Sequence, residues 1–205
     1  LFITQGTTIS YQGNGTSGVY IYGAQVEVGS LSSYIPSQGS AVTRVAETAS
    51  GSGNSEVFND SEGVLFVDEK QFVSTPEAWS GMSISDTTAS NRVFLANTTV
   101  ENQIRVIVSS GSFTQVDVST TNYNTTQQNK IAIKYKQNDF SVFINGFEEL
   151  TATSGNTPIG LSELAFDDGG GASNLYGKTK QIQYYNTVLT DLELETLTSY
   201  RSWLS

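Results

Sequence analysis

Apolar and polar residues alternate along many short segments of this chain, and this period of two predicts β-strands. The clearest case is Lys130–Gly146, KIAIKYKQNDFSVFING, where every second residue is apolar on both sides of a polar turn at 137–139. Successive side chains of a strand point to opposite faces, so the segment predicts a hairpin with one apolar face. It ends in Asn145-Gly146, a pair that readily takes φ > 0.

Further short strands are predicted on both sides of this hairpin, and Gly, Ser and Asn turns separate them. Val64–Val67 is apolar at every position, as expected of a strand buried on both faces. The other predicted strands are Met82–Ile84, Arg92–Leu95, Gln103–Val108, Gln115–Ser119, Ser162–Phe166 and Lys178–Tyr185. Strands of this length and spacing are typical of an antiparallel sandwich or barrel.

One helix is predicted, at Asp191–Ser199. Thr190 precedes it and Glu193 lies three residues further on, which is the spacing of a capping box. Leu194 and Leu197 then lie on one face of the helix.

The order of these segments resembles the concanavalin A-like lectin and laminin-G-like jelly roll. The resemblance covers residues 56–205 and rests on KIAIKY, FSVFING, YGKTKQIQYYN and LTDLELETL. It implies an all-β, antiparallel jelly-roll β-sandwich with one short C-terminal helix. The fold hosts lectins, adhesion modules, virion proteins and glycan hydrolases, so it does not fix the function.

A second resemblance lies upstream. VYIYGAQVEVGS at 19–30, SYIPS at 33–37 and VTR at 42–44 resemble a junction in tailed-bacteriophage structural proteins. It implies that residues 1–28 are the last strands of a preceding β domain. Residues 29–55 then form a Ser/Gly-rich connector and 56–205 the sandwich. The chain begins at Leu1, without an initiator Met or a signal-peptide pattern, and we expect a fragment of a longer protein.

The amino-acid composition excludes several classes of catalytic and binding site. The 205 residues include no Cys and no His, which excludes zinc sites, thiol catalysis, disulfides and imidazole-based triads. The net charge of −10 argues against binding nucleic acid, since a phosphate backbone is bound by Lys and Arg. No apolar run approaches the roughly 20 residues of a membrane span.

Catalysis is not expected. Glycan hydrolases of the resembled fold carry a motif close to E-x-D-x-x-E on one strand, and no segment here has it. The adjacent pair Glu148-Glu149 would point to opposite faces of a strand. Glu193 and Glu195, two apart on a helix, do not share a face.

The candidate metal site is the glycine-rich loop Asp167–Asn174, DDGGGASN. Its carboxylates at Asp167 and Asp168 and its backbone oxygens could converge on calcium, which laminin-G-like domains often bind. Two alternatives stay open: a sugar-contacting loop that uses Asn174, and a flexible loop whose acids cap backbone amides.

The candidate ligand-binding residues are an aromatic pair in loop-like surroundings and a polar pair before a strand. Trp79 and Tyr123 would stack on sugar faces, although a plug over the sandwich end also explains Trp79. Asn91 and Arg92 would donate hydrogen bonds to sugars, although a salt bridge at the strand edge also explains Arg92.

Together these patterns predict a non-enzymatic phage virion appendage, a tail-fibre or spike-like protein located in the extracellular virion. It would attach to host-surface glycans or contact neighbouring virion subunits, and the resemblance implies a homo-oligomer, usually a trimer. Two alternatives remain: a carbohydrate-binding module of a secreted glycan-degrading enzyme, and a purely structural decoration domain.

Overall fold

The structure, a computed structural model, describes residues 15–16 and 52–200. The described elements are β1 (Glu62–Gln71), β2 (Ser80–Ser85), β3 (Arg92–Asn97), β4 (Ile104–Ser110), β5 (Phe113–Thr120), β6 (Asn129–Lys136), β7 (Asp139–Ile144), β8 (Phe147–Ala152), β9 (Glu163–Ala165), β10 (Gly177–Tyr185) and α1 (Asp191–Thr198). Among these residues, no helix is both long and apolar enough to cross a membrane.

The strands form two five-stranded antiparallel sheets. Sheet I has the order β10-β1-β6-β7-β8, and sheet II has the order β5-β4-β3-β2-β9. The core lies between them and is built by the period-two alternation. Sheet I contributes Leu65, Val67 and Ile133, and sheet II contributes Met82, Leu95 and Val106, all fully or almost fully buried. The predicted sandwich is therefore confirmed.

The predicted hairpin is β6–β7, paired from Lys136 with Asp139 to Ile131 with Ile144. Asn145 and Gly146 have φ of 53° and 89°, the positive values that a tight two-residue hairpin turn needs. They open a further strand, β8, which the sequence pattern did not predict. Its side chains are exposed or half-buried, so it lacks the buried apolar alternation that marks central strands such as β3 and β6.

The helix α1 packs on the outer face of sheet I. Thr190 and Glu193 form the predicted capping box. Leu194 is fully buried in a small apolar cluster with Val64, Phe66 and Phe143, and Leu197 packs against that cluster. The outer face of sheet I is thus a second apolar layer.

The predicted division into 1–28, 29–55 and 56–205 stays a prediction. Of residues 1–51, the structure describes only 15 and 16. Nearly all of the first segment, most of the connector and the phage-like junction therefore lie outside the described residues.

Candidate functional site

The outer face of sheet II has a different chemistry from that of sheet I. Alternation places Ser83, Arg92, Phe94, Arg105 and Ile107 on this face, opposite the core residues of the same strands. Phe94, Ala96 and Ile107 form a small apolar cluster against which Trp79 packs. We call this surface, with Trp79 and the residues that contact it, the arginine face.

At one end of the arginine face, Arg105 is held between an aromatic ring and a carboxylate. Its guanidinium carbon lies 4.9 Å from the centroid of the half-buried Trp79 ring. Its Nε and Nη2 donate to the two carboxylate oxygens of Asp117 at 2.7 and 2.6 Å. These hydrogen bonds raise the pKa of Arg105 and lower that of Asp117. The planar guanidinium is therefore fixed in orientation while its side chain stays 30% exposed.

At the other end, Arg92 repeats the arrangement in a more buried setting. Its guanidinium carbon lies 4.8 Å from the Phe94 ring centroid. Its Nη1 donates to the Asp168 carbonyl oxygen at 2.6 Å and lies 3.5 Å from the Asp168 carboxylate. Burial lowers the pKa of Arg92, and the Asp168 charge opposes that shift. Arg92 Nε and the nearby Ser83 Oγ are buried without a hydrogen-bond partner.

The loop 167–174 lies along the edge of this face. Gly81 N donates to Ser173 O at 2.9 Å, and Gly81 pairs with Asn174 in a parallel bridge. A Cβ on Gly81 would lie 2.1 Å from the Leu95 carbonyl oxygen, so only glycine fits there. Asn174 is exposed beside the strand that follows Trp79.

The two carboxylates of the loop are engaged by its own backbone. Asp167 Oδ1 accepts from Gly169 N at 2.7 Å, and Asp168 Oδ1 accepts from the amides of Gly170 and Ala172 at 2.9 and 3.0 Å. No group of three or more acidic side chains suited to a metal occurs in the described part of the chain. Calcium binding by this loop stays a prediction.

The predicted site residues thus fall into two sets. Trp79, Arg92, Asp168 and Asn174 lie on or beside the arginine face, and Asp167 lies in the loop along its edge. Asn91 and Tyr123 do not.

Asn91 and Tyr123 have contacts that hold loops together. Asn91 donates to Asp86 at 2.8 Å and accepts from the Gly111 amide at 2.9 Å. Tyr123 packs against the core and donates to the Glu149 carboxylate. Burial, and then that hydrogen bond, raise the pKa of Tyr123.

Arg105, Phe94 and Asp117 were missed as site residues. The signal was present in the sequence, since Arg105 alternates with Ile104 and Val106 and so had to face away from the core. The pattern could not show which side chain from another segment contacts Arg105. Trp79 comes from the loop before β2, and only the pairing order of β2, β3 and β4 brings the two side chains together.

The sequence matches no protein-family model and no curated protein sequence. The fold does resemble solved structures. One is the CBM40 domain of the Ruminococcus gnavus IT-sialidase bound to α2,3-sialyllactose, with a TM-score of 0.56 and 18% identity over 69% of this chain and 84% of that one.

Parts of two sialidases resemble the chain in the same way. The leech intramolecular trans-sialidase has a TM-score of 0.56 and 16% identity, over 71% of this chain and 24% of its own. The NanB sialidase of Streptococcus pneumoniae has a TM-score of 0.54 and 15% identity, over 69% and 25%. At these identities the likeness shows a shared β-sandwich fold.

Proposed function

We propose that this domain is a non-catalytic glycan-binding module, and that it binds sugars on the arginine face. The observation that carries the proposal is the Trp79–Arg105 stack, in which a half-buried aromatic ring and an oriented, 30% exposed guanidinium lie side by side outside the core. An aromatic ring offers an apolar surface to the CH-rich face of a sugar. The guanidinium offers several hydrogen-bond donors in a fixed plane.

The same face favours acidic sugars. A guanidinium binds a carboxylate through two parallel hydrogen bonds, which a neutral hydroxyl cannot match. Arg105 uses Nε and Nη2 to hold the Asp117 carboxylate, which leaves its Nη1/Nη2 end for a sugar carboxylate. The Ruminococcus gnavus CBM40 domain, which shares the fold, is bound to sialyllactose, a carboxylated glycan. We therefore propose terminal acidic sugars as the ligand class.

Two biological settings use such a module. The neighbours with this fold are parts of sialidases, which supports a carbohydrate-binding module attached to a glycan-degrading enzyme. Attachment of a phage appendage to host glycans would use the same face and stays a prediction, as do virion location and trimerisation. In either setting, linking several modules would convert weak single-site affinity into avidity.

The test is direct binding of 3′-sialyllactose and of lactose, measured by isothermal titration calorimetry or by NMR titration. We expect sialyllactose to bind more tightly than lactose. Trp79→Ala should lower the affinity at least tenfold, a loss of about 1.4 kcal/mol. The matched control is Phe147→Ala, because Phe147 is 67% exposed on β8 of sheet I, away from the arginine face.

Two results would contradict the proposal. One is equal loss of binding in the Trp79 and Phe147 variants. The other is the absence of binding to an array of acidic and neutral glycans by the folded domain.

A further inference from the structure

Glu69 is a carboxyl group buried between the two sheets at one end of the core. It follows Leu65 and Val67 on the inward face of β1 and is 3% exposed. Asn97 of sheet II donates to Glu69 Oε1 at 3.1 Å, and Gln71 donates to the same oxygen at 3.3 Å. The other oxygen, Oε2, is buried without a partner.

A second oxygen without a partner lies opposite Glu69. In the register of β1 and β10, Glu69 pairs with Thr179, and Thr179 Oγ1 is also buried without a hydrogen-bond partner. Directly opposed residues of neighbouring strands have Cβ atoms about 5 Å apart, so their side chains can meet. A threonine hydroxyl can donate as well as accept, so it could pair with either form of the Glu69 carboxyl. The two oxygens do not hydrogen-bond to each other, and the preference for the neutral form comes from burial.

The surroundings of Glu69 contain no compensating charge among the described residues. Asn129 of β6 faces it from the other neighbouring strand. The charged side chains near it, Asp68 and Lys70 of β1, Lys130 of β6, and Lys178 and Lys180 of β10, are on positions of the outer face of sheet I. Burial therefore raises the pKa of Glu69 to about 7, and the hydrogen bonds from Asn97 and Gln71 only partly oppose that shift.

Hydrogen bonds lead from Glu69 to the arginine face. Gln71, which donates to Glu69, accepts from Ser80 Oγ at 3.1 Å. Ser80 Oγ in turn accepts from the Tyr176 amide at 2.6 Å. Ser80 is the first residue of β2 and directly follows Trp79, so this chain of contacts fixes the backbone that carries the tryptophan.

We propose that Glu69 is a proton-operated support for the arginine face: the neutral carboxyl holds the end of β1 against β2 and β3, and the ionised carboxylate loosens it. A buried carboxylate without a positive partner costs free energy, and the neutral acid avoids most of that cost. The effect on ligand binding rests on the proposed glycan-binding function. The effect on the fold does not.

The contribution of Glu69 to folding stability should fall as the pH rises. The pKa of Glu69 is raised in the folded protein from 4.5 to about 7, so the folded state binds more protons than the unfolded state between these values. The contribution of Glu69 is most favourable below pH 4.5, and it is lost as the pH rises to about 7. Above that range it is constant and unfavourable.

The experiment compares wild type, Glu69→Gln and Glu195→Gln in thermal unfolding at pH 5 and pH 8. Glu69→Gln imitates the neutral acid, and Glu195 is an exposed carboxylate on α1 that serves as the matched control. We expect the Tm of wild type and of the Glu195 variant to fall by about 5 °C or more between the two pH values. The Tm of Glu69→Gln should change little, and at pH 8 it should exceed that of wild type.

A second arm measures 3′-sialyllactose affinity at the same two pH values. We expect wild type to bind at least threefold more weakly at pH 8, and Glu69→Gln to bind equally at both. A wild-type affinity that does not change with pH would overturn the coupling to the arginine face. If no glycan binds at either pH, the proposed function fails, and the unfolding arm alone decides whether Glu69 is a proton-operated support.

Two results would overturn the support itself. One is an identical pH dependence of Tm in wild type and Glu69→Gln. The other is a carboxyl carbon of Glu69 that titrates in the wild-type NMR spectrum near its ordinary value of 4.5. The NMR measurement needs no variant and decides the matter even if Glu69→Gln does not fold.

Discussion

The outer faces of the two sheets differ, although both sheets have five antiparallel strands. That of sheet I is covered by α1, and its apolar side chains, such as Phe66 and Phe143, are buried against Leu194. That of sheet II holds arginines stacked on aromatic rings. The comparison teaches that the same period-two alternation can give one sheet a packed apolar outer layer and the other sheet an outer face with stacked arginines.

The positively charged side chains also differ between the two sheets. The six lysines of the sequence, at 70, 130, 134, 136, 178 and 180, all lie on strands of sheet I. Both arginines of the described region lie on sheet II. Lysine carries a compact charge on a flexible stem, whereas arginine stacks on rings and binds carboxylates through two bonds. The division puts the flexible point charges on sheet I and the oriented, ring-stacked charges on sheet II.

The largest effect should come from removing the helix contact on sheet I. Leu194→Ala leaves a cavity under α1 and should lower the free energy of unfolding by about 3 kcal/mol in urea denaturation. Leu192→Ala is the matched control, since Leu192 is 72% exposed on the same helix and its loss should cost less than about 0.5 kcal/mol. Equal losses in both variants would show that the outer face of sheet I is not a packed layer.

The next effect tests the arginine face. Arg105→Lys keeps the charge but removes the stacked plane and the two-bond geometry, and we expect sialyllactose affinity to fall about tenfold. Lys180→Arg is the reciprocal control on sheet I, where the side chain is 72% exposed. It should leave the affinity unchanged. If Arg105→Lys binds as tightly as wild type, charge alone sets the affinity. The stacked arginine of sheet II would then have no advantage over a lysine of the kind found on sheet I.

A smaller effect belongs to the start of the helix. Thr190→Ala removes the side-chain acceptor of the Glu193 amide, and it should lower the free energy of unfolding by about 1 kcal/mol. Thr196→Ala, at an exposed mid-helix position, should not destabilise the protein. Glycan affinity of the folded Thr190 variant should equal that of wild type, because α1 lies on sheet I. A loss of affinity in this variant would show that α1 influences ligand binding on the arginine face.

The smallest effect concerns the exposed ion pair of the arginine face. Asp117→Asn should lower the free energy of unfolding at neutral pH by about 0.5 kcal/mol. The hydrogen bonds from Arg105 lower the pKa of Asp117 below 3.8, so the stabilisation is present above that pH and is lost as the pH falls further. Urea denaturation should show a smaller difference at pH 2.5 than at pH 7. An equal difference at both pH values would show that packing, and not the ion pair, causes it.

Most of the fold followed from the sequence because its signals are local. Alternation in Lys130–Ile144 sets which side chains are buried in β6 and β7. The Asn145-Gly146 turn places Ile144 opposite Phe147 at the start of the next pair. Thr190 and Glu193 fix the start of the helix by themselves. β8 was missed because both of its faces are poorly buried, which leaves no apolar period to detect.

The site was only partly predictable, because side chains from distant segments build it. Asn91 and Arg92 are neighbours, yet one joins three loops and the other lies on the arginine face. Arg92 meets Asp168 across 76 positions of the sequence. No local pattern encodes that distance.

By itself, the sequence determined the strands, the capped helix and the absence of thiol and imidazole chemistry, since each depends on residues close together or on composition. Only the tertiary structure decided which aromatic ring meets which arginine, and that Glu69 is buried without a charge to balance it. Strand order and sheet packing set these contacts, and both come from burial summed over the whole core rather than from any one segment.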